Sequence, residues 1–190
     1  MSELDMEKLV KAIGKRWPAT TNEKVQRYVG KFFSATRLGP KISAQVVGNH
    51  GTYTVSIEAD DQSTFSACSC YIGKHGFCHH CHALALTFLS NPDAFVELKT
   101  RALHEVERLS DLEEYLRGVT LDALIDELRA NGITQKAFAE ALGMNSRHLS
   151  AIKSSERRNR YHNELGATKL ACLWVLERFK KTKDNKASSF

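Results

Sequence analysis

The sequence predicts an α+β protein in which a small antiparallel β-meander with flanking helices is joined by a long helix to an all-α module. Cysteine and histidine residues crowd between positions 68 and 82, directly after segments that alternate as strands do. From position 120 onward, short capped segments instead carry apolar residues at helical spacing. We expect a first module over 1–92, a connecting helix over 93–118, a second module over 119–182 and a disordered tail over 183–190.

The composition is that of a soluble globular protein, since the 190 residues are 42% hydrophobic and 26% charged. The apolar stretches are shorter than the roughly 18 residues of a membrane span, and the amino terminus lacks a signal-peptide pattern. We therefore expect a cytoplasmic protein without a membrane partner. In that reducing compartment, four of the five cysteines lying close together indicate metal binding rather than disulfides.

The predicted first module combines two helices with three strands. Helical spacing predicts the helices over 3–16 and 23–34, and Asn22 is placed to cap the second one. Alternating β-branched residues predict the strands over 42–47, 52–59 and 64–70. A hairpin loop over 48–51 joins the first two strands.

The strongest chemical signal in this module is a set of possible metal ligands. Cys68 and Cys70 are two residues apart on the third predicted strand, so their sulfur atoms leave the same face and can converge on one ion. Cys78 and His80 can join them if Cys78 precedes a helix and His80 lies in its first turn. Three thiolates and one imidazole form a structural zinc set that leaves no open coordination position. The pattern predicts one structural Zn²⁺ per chain and no enzymatic activity.

This segment resembles the SWIM zinc finger, whose signature is Cys-x-Cys, a variable spacer and Cys-x-His before an apolar helix. The resemblance covers about residues 25–92 and implies the ligands Cys68, Cys70, Cys78 and His80. The chain departs from the family at His79, Cys81 and His82. His82 and Cys81 are therefore alternatives to His80 as the fourth ligand. Cys81 also lies on an apolar stripe with Leu84, Ala85 and Phe88 in a helix predicted over 81–90, which favours a buried thiol.

Beyond the cysteine segment, the charge of the chain changes sign. Apolar residues recur at intervals of three and four residues up to Gly118, and this spacing predicts the long connecting helix. Residues 105–129 carry eight acids and three arginines, a net charge of −5, whereas residues 134–162 have a net charge of +4. A basic segment beside an acidic one indicates a surface that binds a polyanion.

The basic segment has the pattern of a helix-turn-helix. Thr120, Thr134 and Asn145 are placed to cap three successive helices, and Gly143 is placed in the turn between the last two. The segment resembles the phage-repressor and Cro type of DNA-binding domain. With Gln135 as the first residue of the leading helix, the family's small and apolar positions are matched by Phe138, Ala139, Leu142, Gly143, Met144, Leu149 and Ile152.

The resemblance implies double-stranded DNA as the partner, with helix 146–153 in the major groove. Arg147 is expected to bind guanine through two hydrogen bonds, and Gln135 to contact a phosphate. The other side chains expected at this interface are Asn145, Ser146, His148, Ser150 and Ala151. Basic residues expected to contact phosphates are Lys153, Arg157, Arg158 and Arg160.

A last helix is predicted over 167–180, with apolar residues on more than one face and Cys172 in the core. A homodimer contact and tighter packing against the acidic helix both explain this pattern. The sequence favours a zinc-containing transcription regulator of a prokaryote or a mobile element, in which the finger contacts DNA or a protein. The alternative is a non-catalytic adaptor in a DNA recombination, transposition or defence assembly.

Overall fold

The structure is a computed structural model, and it describes residues 3–59, 63–75, 77–98, 103–160 and 162–187. The fold is mixed α+β, with a five-stranded sheet and eight α-helices in these ranges. The chain divides into two compact units. The first contains Met1–Thr100 and Arg158–Arg160, and the second contains Arg101–Arg157 and Tyr161–Phe190.

The first unit is a sheet covered by helices. Its helices are α1 (Glu3–Arg16), α2 (Glu23–Gln26) and α3 (His79–Ser90). Its strands are β1 (Phe33–Leu38), β2 (Lys41–Gly48), β3 (Gly51–Ala59), β4 (Thr64–Cys68) and β5 (Val96–Glu97). The strand order is β4-β3-β2-β1-β5, and all neighbouring pairs are antiparallel except the parallel pair of β1 and β5.

The core of this unit forms on one face of the sheet. Ile42, Ala44 and Val46 alternate along β2 and are all buried, as the period of two in a strand requires. Residues of α1 and α3 complete the cluster, chiefly Leu9, Ile13, Cys81, Leu84, Ala85 and Phe88. The prediction that Cys81 shares a buried helical stripe with Leu84, Ala85 and Phe88 is therefore confirmed.

The predicted helix over 23–34 is wrong beyond its first turn. Asn22 caps α2 by accepting a hydrogen bond from the Val25 amide at 3.1 Å, but the helix ends at Gln26. Gly30 then adopts a φ of +72°, and Phe33–Leu38 pairs with β2. Hydrogen bonds to the neighbouring strand determine the conformation of residues 33–38. The spacing of apolar residues in the sequence does not reveal such hydrogen bonds.

The regular structure described in the second unit is helical, with α4 (Leu109–Gly118), α5 (Leu121–Ala130), α6 (Gln135–Ala141), α7 (Ser146–Arg157) and α8 (Leu165–Ala187). The three predicted caps are confirmed. Thr120 accepts from the Ala123 amide, Thr134 from the Ala137 amide and Asn145 from the Arg147 amide, at 3.2, 3.1 and 2.8 Å.

Within the part of 93–118 that the structure describes, the predicted connecting helix is α-helical only in its last part, α4, and Leu103–Glu105 forms a 3₁₀ turn. Pro92–Ala94 is a single 3₁₀ turn, and Val96–Glu97 forms β5 beside β1, where Glu97 pairs with Arg37 at 3.3 Å. Residues 99–102 of the expected helix lie outside the described residues. At the other end, α8 continues to Ala187 into the expected disordered tail, and residues 188–190 are outside the described part.

The core of the second unit is built from α5, α6, α7 and α8. Its buried members are Leu121, Leu124, Ile125, Leu128, Phe138, Ala139, Leu149, Ile152, Cys172 and Leu176. Cys172 is thus in the core as predicted, and burial raises the pKa of its thiol to about 12. Leu142, predicted as part of the wedge between the helices, is instead 41% exposed because α6 ends just before it.

Candidate functional site

The four predicted metal ligands come from two adjacent parts of the first unit. Cys68 is the last residue of β4 and Cys70 lies in the turn that follows, so Cys70 is not on the strand as predicted. Cys78 immediately precedes α3, and His80 lies in the first turn of that helix. This is the placement in which Cys78 and His80 were expected to converge.

The side chains of Cys68, Cys70, Cys78 and His80 meet in one group. Their ligand atoms all lie within 4.8 Å of one another, close enough to hold a metal ion. His80 Nδ1 is 3.7 Å from Cys68 Sγ and 3.9 Å from Cys78 Sγ. A tetrahedral ion with a metal–sulfur bond of about 2.3 Å and a metal–nitrogen bond of about 2.0 Å separates the sulfur and nitrogen atoms by about 3.5 Å. The donor set and its spacing therefore fit a tetrahedral metal.

A glycine in the 3₁₀ turn Ile72–His75, Gly73, shapes the site. Its amide donates a hydrogen bond to Cys70 Sγ at 3.1 Å, and the Cys70 amide approaches Cys68 Sγ at 3.5 Å. A Cβ atom on Gly73 would lie 2.4 Å from the Cys68 Cβ and 2.6 Å from its carbonyl oxygen. Gly73 thus permits the close approach that brings an amide to the sulfur. This role was not predicted from the sequence, although Gly73 lies between the two pairs of predicted ligands.

Aromatic rings enclose the imidazole of His80, which is 3% exposed. The Tyr28 ring packs edge-on with its centroid at 4.6 Å, and the Tyr53 ring is at 5.0 Å. His80 Nε2 has no hydrogen-bond partner among the described residues, while Nδ1 faces the sulfur atoms. Nδ1 is therefore the nitrogen available to a metal.

The alternative fourth ligands are not members of this group of four. Cys81 Sγ is 3.6 Å from Cys78 Sγ, but the thiol is fully buried in the α3 core and does not belong to the group of four. His82 Nε2 lies 2.9 Å from the Pro18 carbonyl oxygen, and His79 stacks on Tyr28 at 5.4 Å. The geometry favours His80 over both alternatives.

The thiols affect one another's ionisation. A hydrogen bond to Cys78 and burial raise the pKa of the Cys68 thiol, and burial raises the pKa of the Cys70 thiol. Hydrogen bonds from Cys68 and from Cys81 lower the pKa of the Cys78 thiol. Protons remain on most of the sulfur atoms unless a cation replaces them, because three buried thiolates repel one another.

A second candidate site is the outer face of α7. Leu149 and Ile152 on one side of this helix are buried, and Arg147, Ser150 and Ala151 on the other side are exposed. Arg147 forms no ion pair with the residues that the structure describes. The remaining predicted contact on this face, His148, is exposed and lies 3.7 Å from Glu164.

The residues at the start of α7 are partly engaged within the unit. Gln135 Nε2 donates to Ser150 Oγ at 2.9 Å, which links α6 to α7. Asn145 uses its side-chain oxygen as the cap, and Ser146 is half-buried. Gly143, between the two helices, has a φ of +66°, the left-handed conformation that a glycine tolerates best.

Two of the four basic residues expected to contact phosphates are engaged by Asp122, at the start of α5. Lys153 Nζ lies 2.6 Å from the Asp122 carboxylate, and Arg157 pairs with its other oxygen. Burial would raise the pKa of Asp122, but hydrogen bonds from Lys153 and Arg157 outweigh it and lower the pKa. Arg158 and Arg160 belong to the first compact unit.

Comparison with protein-family models, with curated proteins and with solved structures found no match to the chain. Among the described residues, every helix is too short or too polar to cross a lipid bilayer. The functional interpretation therefore depends on the geometry and the chemistry of the two candidate sites.

Proposed function

We propose that the first unit is a zinc-binding module whose ligands are Cys68, Cys70, Cys78 and His80. Zinc prefers four tetrahedral nitrogen and sulfur ligands, and the separations of 3.7 and 3.9 Å from His80 Nδ1 to two sulfur atoms suit that geometry. Three protein thiolates and an imidazole fill all four positions, so no position remains to activate water. The role proposed for the ion is structural, and the protein is proposed not to be an enzyme.

We propose that the second unit is a helix-turn-helix domain that binds double-stranded DNA sequence-specifically, with α7 in the major groove. The observation that carries this proposal is the division of α7 into a buried face with Leu149 and Ile152 and an exposed face with Arg147, Ser150 and Ala151. An arginine near the amino end of such a helix can donate two hydrogen bonds to guanine O6 and N7. The biological role proposed is transcription regulation by a cytoplasmic protein in a prokaryote or a mobile element.

The ion pairs of Asp122 limit how the basic residues act in this proposal. Lys153 and Arg157 already have an anionic partner, so a phosphate would have to compete with a carboxylate for them. Arg147 has no such competitor among the described residues. Loss of the Arg147 side chain should therefore reduce discrimination between DNA sequences strongly. Loss of the Lys153 side chain should reduce the total affinity for DNA less.

Selection of binding sites from random DNA tests this proposal. We expect an enriched motif that Arg147→Ala relaxes at one base pair, with a loss of about 1 to 3 kcal/mol of discrimination. Arg158→Ala is the matched control, because a phosphate contact weakens all sequences alike and reduces the slope of log K against log salt concentration by about one. Selection without any enriched motif would contradict sequence-specific binding.

A second candidate function is that of a non-catalytic adaptor in a DNA recombination, transposition or defence assembly. It is favoured by three aromatic side chains near the cysteine group that face solvent, Phe65, Tyr71 and Phe77, which are 61 to 78% exposed. Exposed aromatic residues are enriched where proteins bind proteins. In this function the finger recruits a protein, and DNA selection yields no motif.

We also propose that the chain forms a homodimer through α8. Leu170 and Trp174 on this helix are 41% and 61% exposed, and their burial against a second copy would remove apolar surface from water. Sedimentation equilibrium should then give a dimer mass that Trp174→Glu halves. A monomer at all concentrations would contradict this part of the proposal.

A further inference from the structure

A second group of metal-binding side chains lies in the helical unit. It consists of His148 on α7 together with His162 and Glu164 in the segment that precedes α8, and its ligand atoms all lie within 4.8 Å of one another. His162 Nδ1 is 2.6 Å from one Glu164 oxygen, and His148 Nε2 is 3.7 Å from the other. The two imidazole rings are 5.2 Å apart in an edge-on arrangement.

Hydrogen bonding does not account for the position of His148 in this group. The distance of 3.7 Å between His148 Nε2 and Glu164 is too long for a hydrogen bond. His162 Nδ1 is buried and, despite its closeness to Glu164, has no partner in hydrogen-bonding geometry among the described residues. The two ring nitrogens thus lie near the two oxygen atoms of one carboxylate, with His162 and Glu164 at ion-pair distance.

From this arrangement we infer that His148, His162 and Glu164 form a binding site for a divalent first-row transition-metal ion. Imidazole nitrogen and carboxylate oxygen bind such ions at about 2.0 to 2.2 Å, which separates neighbouring ligand atoms by about 3 to 3.5 Å. The observed 2.6 and 3.7 Å bracket that range. The side chains of His148 and Glu164 are 43% and 49% exposed, so small rotations can equalise the distances.

This site differs in kind from the cysteine group. It offers three ligands rather than four, contains no thiol and is open to solvent, so water or a further ligand completes the coordination. The bound metal ion should exchange rapidly with ions in solution. The affinity of this site for the metal should be lower than that of a buried thiolate site. Metal binding at this site does not depend on whether α7 contacts DNA.

Titration of Ni²⁺ into the zinc-loaded, tag-free chain near pH 7.5 tests the inference. Calorimetry should show one Ni²⁺ bound per chain, and His162→Ala should lower the affinity at least about tenfold. Glu164→Gln, at an exposed position where the fold tolerates the change, should weaken binding in the same direction. His50→Ala is the matched control, since His50 is an exposed histidine in the β2–β3 turn, and it should leave the affinity unchanged.

Nuclear magnetic resonance with Co²⁺ identifies the ligands directly. The ring signals of His148 and His162 should broaden before those of His50 as the paramagnetic ion is added. The inference is overturned if no ion binds in addition to zinc, or if His162→Ala and His50→Ala bind Ni²⁺ alike. It is also overturned if Co²⁺ produces only the charge-transfer absorption of thiolate ligands, which would place the ion at the cysteine group.

Discussion

The two units differ in how they accommodate polar side chains in their interiors. In the first unit, buried Cys68, Cys70 and His80 turn their ligand atoms toward one another, close enough to hold a metal ion together with Cys78. In the second unit, buried Lys169 lies 2.6 Å from the Glu156 carboxylate, so the charges compensate one another. The first unit should therefore respond to metal removal and the second to loss of an ionic partner.

Metal removal should produce the largest effect. Structural zinc contributes on the order of 10 kcal/mol to folding, so a strong chelator should unfold the first unit. In nuclear magnetic resonance spectra, the amide signals of the sheet should lose their chemical-shift dispersion, while the amide signals of α5 to α8 keep their positions. Simultaneous loss of both sets of signals would show that the two units do not differ in this way.

Lys169→Ala should produce the next largest effect. Lys169 Nζ also donates to the Leu116 carbonyl oxygen at 2.8 Å, and Glu156 accepts from the Leu121 amide at 2.8 Å. Removal of the lysine side chain leaves the Glu156 carboxylate without a cationic partner. The free energy of unfolding of the second unit should therefore fall by about 3 to 5 kcal/mol.

The matched control for this change is Lys136→Ala. Lys136 pairs with Glu140 at 3.8 Å, and both side chains are exposed. Denaturant unfolding should show a loss of at most about 0.5 kcal/mol for this variant. Equal losses for the two lysine variants would mean that the network around Lys169 contributes no more than a surface ion pair.

Gly73→Ala should sharpen the description of the first unit. The added Cβ would meet Cys68 at 2.4 Å, so the loop must move and the amide hydrogen bond to Cys70 Sγ weakens. Loss of a hydrogen bond to a metal ligand typically lowers the metal affinity about 10- to 100-fold. Competition with a chromogenic chelator measures the change, and Gly14→Ala, where an added Cβ meets nothing within 4 Å, is the control. Unchanged affinity would exclude a role for the Gly73 loop.

The smallest predicted effect is the acid sensitivity of the second unit. The pKa of Asp122 is lowered in the folded state, so its contribution is complete above the ordinary value of about 4 and is lost as the pH falls toward the lowered value. The free energy of unfolding of the unchanged protein should decrease on acidification in this pH range. The decrease per pH unit should be smaller in the Asp122→Asn variant. Identical slopes for the two proteins would show that the pairs with Lys153 and Arg157 do not contribute.

Features set by local sequence could be predicted. The caps Asn22, Thr120, Thr134 and Asn145 follow from side chains that bond to amides two or three residues away. The convergence of Cys78 and His80 likewise depends only on where α3 begins. Short-range hydrogen bonds and spacing determine these features, so the sequence is sufficient.

Features set by distant partners could not be predicted. The strand Phe33–Leu38 pairs with β2 and β5, whereas helical spacing extended the predicted helix into its first two residues. The buried position of Lys169 depends on Glu156 and on the carbonyl of Leu116, which lies 53 residues earlier in the chain. Such pairings become visible only when the tertiary structure brings the partners together.

Native mass spectrometry on exhaustively dialysed protein measures the zinc content that the Cys₃His site should give. The proposed ligand set predicts one tightly bound zinc per chain that Cys70→Ala loses and Cys81→Ala retains, although both residues are buried cysteines of the same unit. Zinc retained by Cys70→Ala, or lost from Cys81→Ala in a folded protein, would contradict the Cys₃His site and with it the metal dependence of the first unit.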